Sequence, residues 1–144
     1  MNLSRRLAIS LLCLRLSIFI TMLMWTFNKF IRPADVTGIF AHFYHLPLAS
    51  HWAVYAIAGL ELIVLLAFVI GYHRRLSYAA VFVLHAVSTI ASYRQYLAPF
   101  HGVNLLFFAA LPMLAACFTL YLLREQDELW VVKPSGPISK ENPS

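Results

Sequence analysis

The sequence is poor in charged residues, glycine and cysteine, and each shortage excludes a class of protein. Of its 144 residues, 12% are charged and only six are acidic, whereas 61% are apolar and the mean hydropathy is +0.74. A chain this apolar does not fold as a soluble domain, so the composition indicates a polytopic membrane protein. The five glycines form no phosphate-binding loop, and no nucleophile stands beside a recognisable base.

The two cysteines, Cys13 and Cys117, both lie in apolar runs. They build no disulfide framework and no CxxC motif, so we predict no covalent or metal cofactor from them. Their expected role is that of small buried apolar side chains. The formal charge of +5 is distributed as short basic flanks of the apolar runs, which favours membrane topology over nucleic-acid binding.

Four apolar runs of about 20 residues each dominate the chain: 7–30, 52–72, 76–97 and 104–123. At about 1.5 Å rise per residue, each run is long enough to cross the ~30 Å hydrocarbon core as a helix. We therefore predict an all-α fold, with a four-helix transmembrane bundle over residues 1–123. The tail, 124–144, is expected to be cytoplasmic and largely disordered at its Pro- and Ser-rich end.

Basic residues predict the orientation of these helices. Seven flank one side of the bundle: Arg5, Arg6, Arg74, Arg75, Arg124, Lys133 and Lys140. Three flank the other side: Lys29, Arg32 and Arg94. Because Lys and Arg are concentrated in cytoplasmic loops, we predict a multi-pass protein of a bacterial-type inner membrane with both termini in the cytoplasm.

The first outer connection, residues 31–51, predicts a short helix lying in the membrane interface. Asp35 is available as its cap. Four apolar residues recur at helical spacing: Val36, Ile39, Phe40 and Phe43. Such a face is typical of an interfacial helix.

One polar residue in each of the first three helices lies roughly 12 to 15 Å from the predicted cytoplasmic ends. These residues are Arg15, Glu61 and His85. A charge at that depth needs a partner, and two interpretations remain open. In one, the cluster binds a polar head group or transfers protons. In the other, Glu61 neutralises Arg15 and holds two helices in register, with His85 hydrogen-bonded nearby.

A second group of candidates lies at the outer interface. Its possible ligand-binding members are Trp25, Lys29, His45, Arg94 and Asn104. His42, His45 and His51 are also weak candidates for a metal site, because two of them are three residues apart. No cysteine lies at that level, so amphipathic histidines in an aromatic belt are the alternative that we favour.

Three features in chain order resemble the DoxX-like family of four-helix membrane proteins. They are an arginine in helix 1 (CLRLSIFITMLMWTFNKFIRP), a glutamate early in helix 2 before a glycine (GLELIVLLAFVIGYHRR), and an asparagine opening helix 4 (VNLLFFAALPML). The resemblance covers Arg15 to about Leu123. The matching positions are Arg15, Lys29, Pro33, Glu61, Gly71 and Asn104. The chain departs from the usual pattern in its histidine-rich outer loop.

The resemblance implies a redox-associated membrane protein. The name-giving branch resembles the membrane part of a thiosulfate:quinone oxidoreductase, and a related branch is linked to the maturation of periplasmic redox enzymes. On this basis the first hypothesis is a quinone-interacting subunit in the lipid bilayer. Because the sequence carries no haem, flavin or iron–sulfur motif, a membrane or periplasmic protein partner would have to supply the electrons.

Two further functions remain open. One is a non-catalytic accessory or assembly protein that docks a redox partner through its outer loop or its tail. The other is a small-solute or metal carrier, for which four helices are few unless the chain forms a homo-oligomer. The sequence does not decide whether the protein is an enzyme.

Overall fold

The computed structural model describes residues 2–45 and 50–132, and every regular element in those ranges is helical. The elements are α1 (Leu3–Ile31), α2 (Pro33–Tyr44), α3 (His51–Val69), α4 (Arg74–Ala91), α5 (Tyr93–Leu97), a 3-10 helix (Asn104–Ala109) and α6 (Ala110–Leu122). The predicted all-α class is confirmed. The tail end that was expected to be disordered, 133–144, lies outside the described residues.

Three helical stretches are long and apolar enough to cross a membrane: Leu3–Ile31, His51–Val69 and Asn104–Leu122. Apolar side chains on their surfaces are widely exposed, as Leu60 and Ile63 show at 66% each. Surfaces of this kind suit hydrocarbon and not water. Helix α4 packs among these stretches but begins with Arg74 and Arg75, which lowers its hydropathy.

Aromatic contacts show that consecutive long helices run antiparallel. Phe30, at the end of α1, stacks on Tyr55 near the start of α3, with ring centroids 6.2 Å apart. Phe68, at the end of α3, lies 5.0 Å from Tyr78, near the start of α4. We call the end of the bundle where α1 begins the N-terminal side, and the end where α1 finishes the far side.

The hydrophobic core fills the N-terminal half of the bundle. Each long helix contributes two buried residues: Leu11 and Ile18, Leu65 and Phe68, Tyr78 and Val81, Cys117 and Leu120. These positions lie in the first half of α1 and α4 and in the second half of α3 and α6. The far half is therefore packed less densely and leaves room for a cavity.

Two helices are interrupted where local chemistry changes. Helix α4 ends at Ala91, earlier than the predicted 97, and Thr89 and Ser92 donate hydroxyl hydrogen bonds to the carbonyls four residues back. Such bonds compete with the helical ladder and bend the chain. Pro112 lies in the first turn of α6, where a backbone N–H has no partner within the helix and its absence costs nothing. The residues before α6 form a 3-10 helix.

A helix forms in the first connection, as α2, but Asp35 does not cap it. A helix capped by Asp35 would begin at Val36, whereas α2 begins at Pro33 with Arg32 as its cap residue. Asp35 lies in the first turn, where its negative charge is favourable to the helix dipole. Proline is well suited to the first position because its fixed φ is already helical.

Candidate functional site

A cavity of about 830 Å³ occupies the far half of the bundle and is lined by α1 to α5, the 3-10 helix and the start of α6. Helix α2 lies across it, and the four apolar residues predicted to share one face, Val36, Ile39, Phe40 and Phe43, all line it. The volume is in the range of sites for small organic ligands. The cavity is therefore the candidate site that the fold provides.

The polar part of the cavity wall is an ion pair between α1 and α3. Lys29 Nζ lies 2.7 Å from Glu61 Oε2, with the two side chains 15% and 18% exposed. The Thr26 hydroxyl also donates to Glu61 Oε2, at 3.1 Å. Both contacts use the same carboxylate oxygen, so Oε1 accepts no hydrogen bond within the described residues.

His85 lies on the opposite wall, on α4. Its Nε2 is 3.0 Å from the carbonyl oxygen of Ala110, at the start of α6. A carbonyl can only accept, so this contact requires a proton on Nε2, and in the neutral ring Nδ1 is then an acceptor. The contact also fixes the ring orientation at the cavity.

Most of the remaining wall is apolar or aromatic, although Asn28, Ser88 and Thr89 also line it. Trp25, Phe40 and Phe107 line the cavity, and a row of α4 residues, Val83, Leu84 and Val87, forms one side. Phe43 of α2 stacks on Phe107 of the 3-10 helix with ring centroids 6.1 Å apart. This contact joins α2 to the opposite wall of the cavity.

A second polar cluster lies on the N-terminal side, separated from the cavity by the core. Arg15 Nη1 is 3.2 Å from Asp127 Oδ2 and donates to the Tyr78 hydroxyl at 3.0 Å. The Tyr78 hydroxyl donates to the same Asp127 oxygen at 2.7 Å. Arg15 and Asp127 are both fully buried. This cluster neutralises the arginine that interrupts the first apolar run.

The expected grouping of Arg15, Glu61 and His85 is therefore corrected: Glu61 and His85 face one cavity, and Arg15 belongs elsewhere. The reason is the direction of the side chains, which lean toward the N-terminus of their own helix. In α1 that direction leads to the N-terminal side, whereas in the antiparallel α3 it leads to the far side. Arg15 and Glu61 consequently point apart, and Lys29 reaches Glu61 instead.

The outer candidates divide in the same way. Trp25 and Lys29 line the cavity, whereas His45, Arg94 and Asn104 do not. His45 ends α2 with a left-handed backbone, Arg94 donates to the hydroxyl of its neighbour Tyr93, and Asn104 donates to the carbonyl of Ala98. These three residues therefore make local contacts outside the lining of the cavity.

Among residues 2–45 and 50–132, no three His, Cys, Asp or Glu side chains are grouped as a metal site requires. His42, His45 and His51 each remain exposed. The cavity thus offers ligand contacts through its ion pair, an imidazole and aromatic rings.

Sequence reasoning missed Asp127 and Tyr78. Asp127 lies in the predicted cytoplasmic tail, and Tyr78 is not among the candidate residues of the sequence analysis. One signal was available, because the acidic tail residues are followed directly by an apolar stretch, Leu129 to Val132. A tail with such a stretch can fold back onto the bundle.

Comparison with protein families matches more than half of the chain. A family model described as DoxX matches residues 10–94, which include Arg15, Lys29, Glu61 and His85. No curated protein and no solved structure matches the chain. The matched span covers α1 to α4, so it contains the ion pair and most of the cavity wall.

Proposed function

The chain belongs to the DoxX family, and we propose that it is a quinone-binding, redox-associated member working with a partner protein that supplies electrons. The observation that carries the proposal is the Lys29–Glu61 pair in the wall of an apolar cavity of about 830 Å³. A quinone combines a planar head with two polar oxygens and an apolar tail. The cavity offers complementary chemistry for each part.

The polar groups of the cavity can form hydrogen bonds with the oxygens of the quinone head. The Lys29 ammonium can donate to a ring carbonyl, while Glu61 Oε1 and His85 Nδ1 can accept from the hydroxyls of the reduced form. Reduction of a quinone to a quinol takes two electrons and two protons. The electrons come from the partner, and the two protons come from the aqueous phase by way of Glu61 and His85, each of which takes up a proton and passes it to a quinone oxygen.

The apolar walls match the rest of the molecule. Trp25, Phe40 and Phe107 offer faces on which an aromatic head can stack. The α4 row of Val83, Leu84 and Val87 offers a surface along which an isoprenoid tail can lie. A ligand of this kind reaches the site from the bilayer in which it dissolves.

We further propose that four helical stretches span the membrane, namely the three long apolar ones and α4. Helix α2 then lies in the outer interface. Three polar residues of α4, His85, Ser88 and Thr89, line the cavity, and His85 bonds to α6, which explains how a less apolar helix is accommodated. In the proposed orientation, the N-terminal side lies in the cytoplasm of a bacterial-type inner membrane and the cavity lies in the outer leaflet.

Quinone retention tests the proposal. The full chain is purified in mild detergent from quinone-containing membranes, and organic extracts are quantified against protein. We expect about one quinone per wild-type chain and at least a tenfold loss in Lys29→Met and His85→Ala. Thr119→Val is the matched control, because its hydroxyl bonds only within α6 and does not line the cavity. Absence of quinone from the wild type, or equal retention in all variants, contradicts the proposal.

An accessory role, docking a redox partner, is the second candidate. It is favoured by Trp130, whose indole is 75% exposed although its backbone carbonyl is held by Arg15. Loss of a co-purifying partner in Trp130→Ala, with quinone absent from the wild type, would support it over quinone binding. A carrier role is less well supported, because the core fills the N-terminal half of the bundle.

A further inference from the structure

The buried arginine of the N-terminal side is neutralised by a residue from outside the helices. Asp127 lies in the chain segment 123–132, which follows α6 and has no regular helix or strand. We call it the docked segment. Within the described residues, the Asp127 carboxylate is the acidic group that contacts Arg15.

Polar contacts hold the docked segment against the bundle. Arg74 Nη1 donates to the carbonyls of Arg124 and Asp127, at 2.8 Å each, and Val132 N donates to the carbonyl of Ile70 at 2.9 Å. Arg15 Nη2 donates to the backbone carbonyls of Leu129 and Trp130. The segment is therefore attached mainly through groups that could also be satisfied by other acceptors.

The fit between Arg15 and Asp127 is incomplete. Arg15 Nε and Asp127 Oδ1 are both buried, and neither makes a hydrogen bond among the described residues. A guanidinium usually binds a carboxylate through two parallel hydrogen bonds, whereas here a single oxygen receives both Arg15 and Tyr78. The arginine thus has more donor capacity than Asp127 uses.

We propose that Arg15 and Tyr78 form a carboxylate-binding site whose resident ligand is the chain's own Asp127, and that a small monocarboxylate displaces it. A buried guanidinium must keep a counter-ion, so the docked segment can leave only when another anion takes its place. A free carboxylate is not constrained by a backbone and can engage both nitrogens on one edge of the guanidinium. Binding of the anion to Arg15 is then coupled to release of the docked segment.

The first experiment removes the Asp127 carboxylate from the site. Full-length Asp127→Ala is purified in detergent, and its thermal midpoint is measured in sodium formate and in sodium chloride at equal ionic strength. We expect formate to raise the midpoint by about 3 °C in this variant and to change the wild type less, because Asp127 competes there. The double variant Asp127→Ala, Arg15→Gln should show no preference for formate. Equal responses to both salts in Asp127→Ala overturn the proposal.

The second experiment uses the wild type and does not require a stable variant. Trypsin cleavage after Arg124, which is half-buried at the start of the docked segment, is timed in formate and in chloride. We expect about a fivefold faster cleavage in formate, because proteolysis follows the population of the open form. Cleavage after the exposed Arg94, on the far side, is the internal control and should not change. Unchanged cleavage at Arg124 contradicts displacement.

The carboxylate could come from the aqueous phase or from a fatty acid in the bilayer. Octanoate below its micellar concentration, used in place of formate, distinguishes the two sources. A larger effect of octanoate assigns the ligand to the membrane, and a larger effect of formate assigns it to the aqueous phase. Either result supports the site, and no effect of both salts overturns it.

Discussion

Lys29 and Glu61 make the most direct prediction at the scale of single residues. Their side chains are mostly buried and 2.7 Å apart, so removal of one charge leaves the other without its partner. We expect Lys29→Met and Glu61→Gln each to lower the free energy of unfolding by about 2 kcal/mol. The double variant should recover about 1 to 2 kcal/mol of the summed loss. Reversible unfolding in mixed micelles measures all three variants.

The same cycle with Arg15 is the control. Arg15 and Glu61 point to opposite halves of the bundle, so Arg15→Gln should give no rescue of Glu61→Gln. A coupling of the size expected for Lys29 would contradict the assignment of Glu61 to the cavity.

Gly71 gives a second prediction at this scale. Its φ of +67° is in the left-handed region, and a Cβ there would lie 2.5 Å from Val131 Cγ1 and 3.2 Å from Arg15 Nη1. We expect Gly71→Ala to cost about 2 to 4 kcal/mol and to speed cleavage after Arg124. Gly59→Ala is the matched control, because no atom lies within 4 Å of its Cβ position. A similar loss in both variants would show that Gly71 is not a special position.

Individual site residues were only partly predictable. Arg15, Glu61 and His85 stand out in the sequence because a polar residue within an apolar run requires an explanation. The residues that contact them could not be predicted from the sequence, because the pairing depends on the direction of each side chain and on where helix α1 begins. Asp127 was missed because the counter-ion of a buried charge was sought within the helices and not in the tail.

At the scale of elements, α2 packs mainly on α1 and α3, and an aromatic contact joins it to the 3-10 helix. Phe43 and Phe107 stack across the cavity, and the other contacts of α2 are with α1 and α3. We expect Phe43→Ala to raise amide hydrogen exchange in residues 33–44 by about tenfold, because a local contact that limits opening is lost. Exchange in α3 and α6 should change little.

Phe118→Ala is the control for this prediction. It removes a ring of the same size from the N-terminal half, where Phe118 packs on Phe82. Exchange in α2 should be unaffected. Equal increases in both variants would indicate general destabilisation and contradict a specific role for Phe43.

The positions of most helices could be predicted, but several of their ends could not. Long apolar runs specify the helices, whereas their ends depend on local details. Pro112 lies in the first turn of α6, and the residues before it form a 3-10 helix, so α6 begins at Ala110 and not at the predicted 104. Thr89 and Ser92 donate to carbonyls four residues back near the point where α4 ends, which the length of the apolar run does not reveal.

At the scale of the whole molecule, the bundle is divided into a filled half and an open half. Helices that are apolar on all sides carry no pattern that reveals which parts of them touch each other, so this division could not be predicted from the sequence. The division depends on how the large and the polar side chains of different helices pack against each other. The cavity has its polar wall on the far side, and the buried carboxylate site lies on the N-terminal side.

The orientation of the molecule decides which compartment each site faces. Five arginines lie on the N-terminal side of the described structure: Arg5, Arg6, Arg74, Arg75 and Arg124. On the far side the basic residues of the described structure are Lys29, Arg32 and Arg94. Because Lys and Arg are concentrated on the cytoplasmic side of membrane proteins, we expect the N-terminal side to be cytoplasmic.

Cysteine labelling tests this orientation. In a background with Cys13 and Cys117 replaced by alanine, His101→Cys reports the far side and Glu125→Cys reports the N-terminal side, because both positions are exposed. A membrane-impermeant maleimide added to intact cells or spheroplasts should label His101→Cys at once and Glu125→Cys only after permeabilisation. The reverse pattern would place the cavity in the inner leaflet. A quinone site there would exchange its protons with the cytoplasm, and the carboxylate site would then face the outer compartment.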